Sequence, residues 1–236
     1  MKFLAFDTST ELLHLGASDG SRQLCHVRAG AAESSATLLP LALSTLSEMG
    51  MSVQGLTALV MGRGPGSFTG LRTACAVAQG LAMGAGLPVL PIDTLLALAE
   101  DARQGRPRLR VLAVLDARMN QYYVAAYEYQ GDGWLDVAAP ALLDPADVRF
   151  PPAWTDGSSP VLLAGIGTQA LCTLLRTPTA PAFEAVSAAP TADALLRLAP
   201  AAWRNGGAVA AEQAMPLYLR DKVAQTTAER EAAKSP

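Results

Sequence analysis

The sequence predicts an α/β protein built from two similar halves. An apolar run ending in aspartate occurs twice, as FLAFD at 3–7 and VLAVLD at 111–116, each followed by a hairpin pattern. Short apolar runs of strand length alternate with longer Ala- and Leu-rich stretches of helical length. Half of the 236 residues are hydrophobic and only 17% are charged, which excludes a disordered chain and supplies a sizeable core.

The elements follow in order. Lys2–Thr8, Leu12–Ala17 and Arg22–Val27 read as strands, the last two joined at Asp19-Gly20-Ser21. Ser34–Met49 has helical pattern, with Leu38, Leu39, Leu41, Leu43, Leu46 and Met49 placed all round it, and Gly50 stops it. Leu56–Met61 is a buried strand leading into a glycine-rich turn, and a helix runs from Ser67 to Gly84. Pro88–Ile92 is a short strand and Thr94–Ala102 a helix. Gln104–Arg110, with Gly105 and Pro107, reads as a linker. Beyond it come the strand Leu109–Leu115, a hairpin of Tyr122–Tyr129 and Trp134–Ala138, a strand at Val161–Ala164 and helices at Thr168–Arg176 and Ala192–Arg204. This divides the chain into an N-terminal subdomain at 1–105, a C-terminal subdomain at 106–220 whose last helix packs back on the first, and a polar tail at 221–236. Two such halves describe the duplicated fold of actin, Hsp70 and sugar kinases, the ASKHA ATPase fold. An α/β sandwich whose strands happen to end in Asp is the alternative.

The most distinctive segment is GRGPGSFTGLR at 62–72, between a strand and a helix. Glycine permits positive φ and close backbone approach. Ser67 or Thr69 can cap the helix, and free N–H groups there attract anions. The segment is neither a Walker loop nor GxGxxG, since Ser67 stands where the third glycine belongs. Two readings stand: a phosphate cradle, or a tight capped turn using Gly64, Gly66 and Gly70 to pack helix on sheet, which is preferred.

Asp7 and Asp116 end equivalent strands, where the duplicated ATPase fold places its phosphate loops. Ser9 and Arg118 follow them, and neither loop has a glycine. Arg118 would obstruct a γ-phosphate, or pair with Asp116 or a partner's carboxylate. The aspartates then serve strand-end turns. No cofactor is expected, any nucleotide site being vestigial.

Composition narrows the remaining classes. The net charge is −3, from 18 basic and 21 acidic residues, with no basic run, so a nucleic-acid partner would be held mainly by another protein. Cys25, Cys75 and Cys172 lack CxxC spacing and read as buried, reduced thiols of a cytoplasmic protein. The chain has only His14 and His26, with no HxxH, HxxxH or HExxH, and no GxSxG elbow, so neither a metallopeptidase nor a serine hydrolase is indicated. Pro, Asp and Gly interrupt every long apolar run, so no membrane span is expected.

FLAFDTST, SSATLLPLALSTL, GRGPGSFTGLRTACAVAQGLAMG, LDARMNQYY and PLYLRDKVA occur in that order. Together they resemble the TsaB (YeaZ) family of bacterial threonylcarbamoyladenosine biosynthesis, over nearly the whole chain; 143–190 matches only in outline. The resemblance implies a non-catalytic scaffold that pairs with a catalytic paralogue, TsaD, which carries a metal and transfers threonylcarbamoyl to tRNA adenosine. It implies an ATPase, TsaE, joining the pair, and tRNA contacted only through the complex. The paralogue holds its metal partly through two histidines on its first helix; the helix here, entered at Ala32-Glu33-Ser34-Ser35, has none.

The two early helices are the expected docking surface for that paralogue, and for a second copy in its absence. Leu38, Leu41, Thr45 and Met49 on the first helix and Arg72, Ala76, Gln79 and Met83 on the second are the expected interface residues. Small residues at Ala74, Ala76, Ala78, Gly80, Ala82 and Gly84 let helix axes approach closely. The alternative is that both helices simply cover their own sheet. An autonomous ATP-dependent kinase or carbamoyl transferase of the same fold is the rival function.

Overall fold

The computed structural model describes residues 1–30 and 34–220. The expected polar tail at 221–236 and the helix entry Ala32-Glu33 lie outside the described residues. Strands β1 (Phe3–Asp7), β2 (Leu12–Ser18), β3 (Gln23–Ala29), β4 (Ala58–Gly64) and β5 (Val89–Asp93) form one sheet in the order β3-β2-β1-β4-β5. Strands β6 (Arg108–Asp116), β7 (Tyr122–Gln130), β8 (Trp134–Leu143), β9 (Val161–Gly165) and β10 (Glu184–Val186) form a second, in the order β10-β9-β6-β7-β8. In each sheet the first strand is central, its hairpin lies antiparallel on one side, and a later strand pairs parallel on the other. The chain is thus the duplicated actin-like α/β fold, with Asp7 and Asp116 at equivalent strand ends.

Alternation along the central strands assigns the layers. Leu4 and Phe6 of β1 point outward to helices α1 (Ser34–Glu48) and α2 (Phe68–Ala85), while Phe3 and Ala5 point inward. Along β6, Leu109, Val111 and Ala113 share a core with α3 (Thr94–Arg103). Leu112 and Val114 face the other way, toward α4 (Gln169–Leu175) and Trp154. The two inner helices exchange sheets. Helix α3 follows β5 of the first sheet yet packs on the second through Leu95, Leu98 and Ala102. Helix α5 (Ala192–Arg204) follows the second sheet yet packs on the first through Leu195, Leu196 and Ala199.

One buried carboxylate joins these inner pieces. Glu100 on α3 accepts from Arg103 Nε and Nη2 at 2.8 Å, from Arg197 Nε of α5 at 2.7 Å, and from Trp134 Nε1 of β8 at 2.8 Å. Burial alone would push its carboxyl up, but these bonds together hold it below the usual carboxylate range.

The expected linker at 104–110 is shorter than the sequence suggests, because Arg108 already pairs with Gln130. Strand β8 runs to Leu143, past the expected end at Ala138. The register shift between Val124 and Ala126 falls opposite Pro140, which has no N–H for a ladder bond. The three-residue β10 gave no pattern long enough to read.

Candidate functional site

The glycine-rich turn is filled by the chain's own first loop. A Cβ on Gly62 would overlap the Asp7 carboxylate, one on Gly70 the Thr8 carbonyl oxygen, and one on Gly66 would lie 2.5 Å from the Cβ and carbonyl oxygen of Ser9. Ser67 N–H donates to the Ser9 carbonyl at 2.7 Å, and the Thr8 hydroxyl donates to the Gly70 carbonyl at 2.7 Å. Gly64, at φ 108°, offers its N–H to Thr94 Oγ1 at 3.1 Å, and a Cβ there would lie 2.8 Å from the Leu217 carbonyl oxygen and 2.9 Å from a Leu71 methyl. Ser67 caps α2, accepting from Gly70 N–H at 3.5 Å, while the Thr69 carbonyl accepts from the Thr73 hydroxyl at 3.0 Å. The close backbone approach that glycine permits is therefore used by residues 7–9.

Asp7 lies at the bottom of this packing, fully buried. Its carboxylate accepts from Ser9 N–H at 2.7 Å, Ser9 Oγ at 2.5 Å and Thr94 Oγ1 at 3.0 Å. Burial pushes its carboxyl up, against the pull of these hydrogen bonds. His14 faces it across the β1–β2 ladder, and burial pushes that imidazole down against the attraction of Asp7 and Asp101. His26 sits on β3, opposite Leu15.

A cleft of about 900 Å³ separates the two halves at this end. Ser9, Thr10, Glu11, Ser67 and Phe68 line one wall, and Asp116, Arg118, Tyr122 and Ile166 the other. Arg118 crosses the opening to Glu11 at 2.6 Å, and lies 3.8 Å from the Asp116 carboxylate. Asp116, one of the partners expected for Arg118, is thus the more distant contact, and the nearer one, Glu11, is not among those expected. Nothing in the sequence marks Glu11, which meets Arg118 only when the halves face one another.

Three consecutive non-glycine residues, Arg118, Met119 and Asn120, hold φ of 62°, 56° and 56°. The left-handed region costs an L-residue about 1–2 kcal/mol. Asp116 Oδ1 accepts from Arg118 N–H at 2.7 Å, and Ala117 N–H reaches the Gln121 carbonyl at 2.9 Å. Arg220 completes the support. Its Nη2 donates to the Ala117 carbonyl at 3.1 Å, the Arg118 carbonyl at 3.4 Å and Gln121 Oε1 at 2.8 Å.

The residues leading to Arg220 are fastened against α2 and its entry turn. The Ala214 carbonyl accepts from Cys75 Sγ at 3.0 Å and Gln79 Nε2 at 3.3 Å. Leu217 N–H donates to the Arg63 carbonyl at 2.6 Å, and Tyr218 stacks on Phe68 with centroids 5.0 Å apart. Arg72 Nε reaches Tyr218 OH at 3.4 Å.

The expected interface residues divide between core and surface. Leu38, Thr45 and Met49 are buried in the chain's own core, so they are not available as contact residues. Helical geometry turns Leu38 and Thr45 toward the sheet, where α1 packs on β2, and turns Leu39 and Leu43 outward, 40% and 46% exposed. Leu41 is half-buried. On α2 the small residues split by the same geometry. Ala74, Ala78 and Ala82 face inward, whereas Ala76, Gly80 and Gly84 form an exposed ridge beside Arg72 and Met83. Gln79 is half-buried against Ala214. A shallow groove of about 410 Å³, lined by Ser35, Thr69, Arg72, Thr73, Ala76 and Val77, runs between the helices. Among the described residues no helix is long and apolar enough to cross a membrane.

Residues 28–228 match the family model described as TsaD, tRNA N6-adenosine threonylcarbamoyltransferase. The Escherichia coli K12 tRNA threonylcarbamoyladenosine biosynthesis protein TsaB is 34% identical over 225 residues, covering 95% of this chain and 96% of that one. Its Haemophilus influenzae counterpart is 40% identical over 131 residues, 52% of each chain. Among solved structures, YeaZ from Pseudomonas aeruginosa superimposes with a TM-score of 0.82 at 34% identity, covering 92% of this chain and 99% of that one. A Pseudomonas aeruginosa protein described as similar to peptidase YEAZ gives 0.83 at 36%, covering 93% and 99%.

Proposed function

This chain belongs to the TsaB family of tRNA threonylcarbamoyladenosine biosynthesis proteins, and on that premise we propose that it is the non-catalytic scaffold of a cytoplasmic tRNA threonylcarbamoyl transferase. It docks the catalytic paralogue TsaD on the outer faces of α1 and α2, and accepts the ATPase TsaE onto that pair. It forms a homodimer through the same face when the paralogue is absent. Threonylcarbamoyl transfer belongs to the paralogue, and tRNA is gripped by the complex.

The observation that carries this reading is the uncovered ridge of Ala76, Gly80 and Gly84 on α2, flanked by the exposed Leu39 and Leu43 of α1. Small side chains let two helix axes come close, and exposed leucines supply apolar area around them. Because the family model that matches this chain is the paralogue's own, the two proteins share a fold, and one patch can serve both pairings. The filled glycine turn and the Arg118–Glu11 pair across the cleft support a role without nucleotide chemistry.

Co-purification of the native chain with its partners, identified by mass, tests the assembly. Ala76→Arg tests the surface. Ala76 is exposed, so the variant keeps its circular dichroism spectrum and melting temperature. A cation buried without a partner in the seam costs several kcal/mol, so affinity for the paralogue falls at least about a hundredfold. Wild-type affinity in the folded variant overturns the assignment.

A further inference from the structure

We propose that residues 214–220 form a strap that sets the width of the cleft between the halves, with Arg220 holding the left-handed turn at 118–120 and the turn aiming Arg118 at Glu11. The strap touches both halves. On the first half Ala214 is fastened to Cys75 and Gln79, Leu217 to Arg63, and Tyr218 to Phe68 and Arg72. On the second half Arg220 gathers the carbonyls of Ala117 and Arg118 and the side chain of Gln121.

The turn needs that grip. Its three φ values lie where side-chain-bearing residues rarely settle, and such strain persists only where the surroundings over-determine it. The backbone at 117–118 directs its carbonyls to one place, where Nη2 at the end of the long Arg220 side chain reaches both of them together with Gln121 Oε1. With the turn set, Arg118 stands over the opening and meets Glu11, which lies just beyond β1 on the opposite wall. The Arg118 and Glu11 side chains are 72% and 81% exposed, and an ion pair between such groups is too weak to draw two halves together unaided. Closure therefore depends on a pre-aimed Arg118, and the aiming is done by the strap. Arg220 is a positioning residue in this arrangement: it acts on Glu11 only through the turn.

Hydrogen exchange on the full chain reads the proposal directly. In Arg220→Ala the amides of Ala117, Arg118 and Gln121, which are bonded within the turn, exchange about tenfold faster or more. Amides at the centre of β6, such as Leu112 and Ala113, keep their wild-type rates. Glu11→Gln leaves the turn amides at wild-type rates, since the strap is intact, but frees the far end of Arg118. Spin labels at Leu12→Cys and Ile166→Cys, on opposite walls of the cleft and with Cys25 and Cys172 replaced by alanine, report the width. The distance distribution lengthens and broadens in both Arg220→Ala and Glu11→Gln. Should Arg220→Ala melt the whole chain, Arg220→Lys keeps the charge and most of the stem but ends one bond short of Nη2, and faster exchange at the same three amides is expected. A folded Arg220 variant with wild-type exchange at the turn, or with a wild-type distance distribution, overturns the strap. A wild-type distance in Glu11→Gln overturns the ion pair as the closing contact.

Discussion

The backbone carbonyl oxygen of Thr8 occupies the space that a Cβ on Gly70 would need. The Thr8 hydroxyl also donates to the Gly70 carbonyl, so the first loop and the start of α2 are joined twice. Gly70→Ala forces this backbone apart. Its cost is expected to be in the upper range for single substitutions, about 4 kcal/mol or more. Gly80 is on the same helix with nothing within 4 Å of a Cβ. Gly80→Ala gains helix propensity and stabilises by about 1 kcal/mol. Urea unfolding of the two variants checks the contrast, and equal effects would show that Gly70 is not a packing glycine.

Adjacent leucines on α1 are expected to behave differently. Leu38 is wholly buried, and Leu38→Ala costs about 2–5 kcal/mol in a melting experiment. Leu39 and Leu43 are exposed, and their replacement by serine moves stability by no more than about 0.5 kcal/mol. The serine variants instead weaken self-association in sedimentation and weaken capture of the paralogue.

Glu100 gives the fold a defined response to acid. Its folded-state carboxyl titrates below the ordinary range, although burial opposes this, because Arg103, Arg197 and Trp134 donate to it. A depressed carboxyl contributes stability that is complete above the unfolded-state value, about 4.3, and is lost as pH falls toward the folded value. Glu100→Gln therefore loses about 2–3 kcal/mol at neutral pH, in the range for hydrogen bonds to a charged group. The gap between the native chain and the variant closes as the solution is acidified below about pH 4.3. A constant gap across a pH series of chemical denaturations would count against this account.

The isolated chain is expected to release no phosphate from ATP above background and to bind tRNA weakly at physiological salt. The first expectation rests on the loops at Ser9 and Arg118, which carry no glycine. The second rests on the net charge of −3. Phosphate release that scales with the concentration of purified chain, or a submicromolar gel shift without partners, would overturn the scaffold reading.

The sequence revealed most of the fold because its strongest signals were local. Apolar strands ending at Asp7 and Asp116 exposed the duplication, and hairpin turns bounded the strands around them. Facing was harder to read on α1, where leucines surround the helix. Nothing along the chain distinguishes Leu38 from Leu39; contact with β2 decides it. The Glu11–Arg118 pair, 107 residues apart, and the reach of Arg220 to Ala117 depend on how the halves meet, which no periodicity encodes. The role of the glycines was legible as a choice between two readings, and the loop at residues 7–9 that fills their space is a tertiary neighbour.

The exchange of inner helices also bears on how the chain is made. During synthesis the first sheet emerges early, but Phe3, Ala5, Val60 and Leu90 on its inner face await Leu195, Leu196 and Ala199 of α5. Helix α3 likewise leaves the ribosome before the strands it will cover. Until residue 204 has emerged, the nascent first half carries a bare apolar surface, which is what a chaperone binds and what drives aggregation. A premature stop after β10 would therefore yield no usable half. It would remove the lid of the part already made, and native structure should appear late and in both halves together.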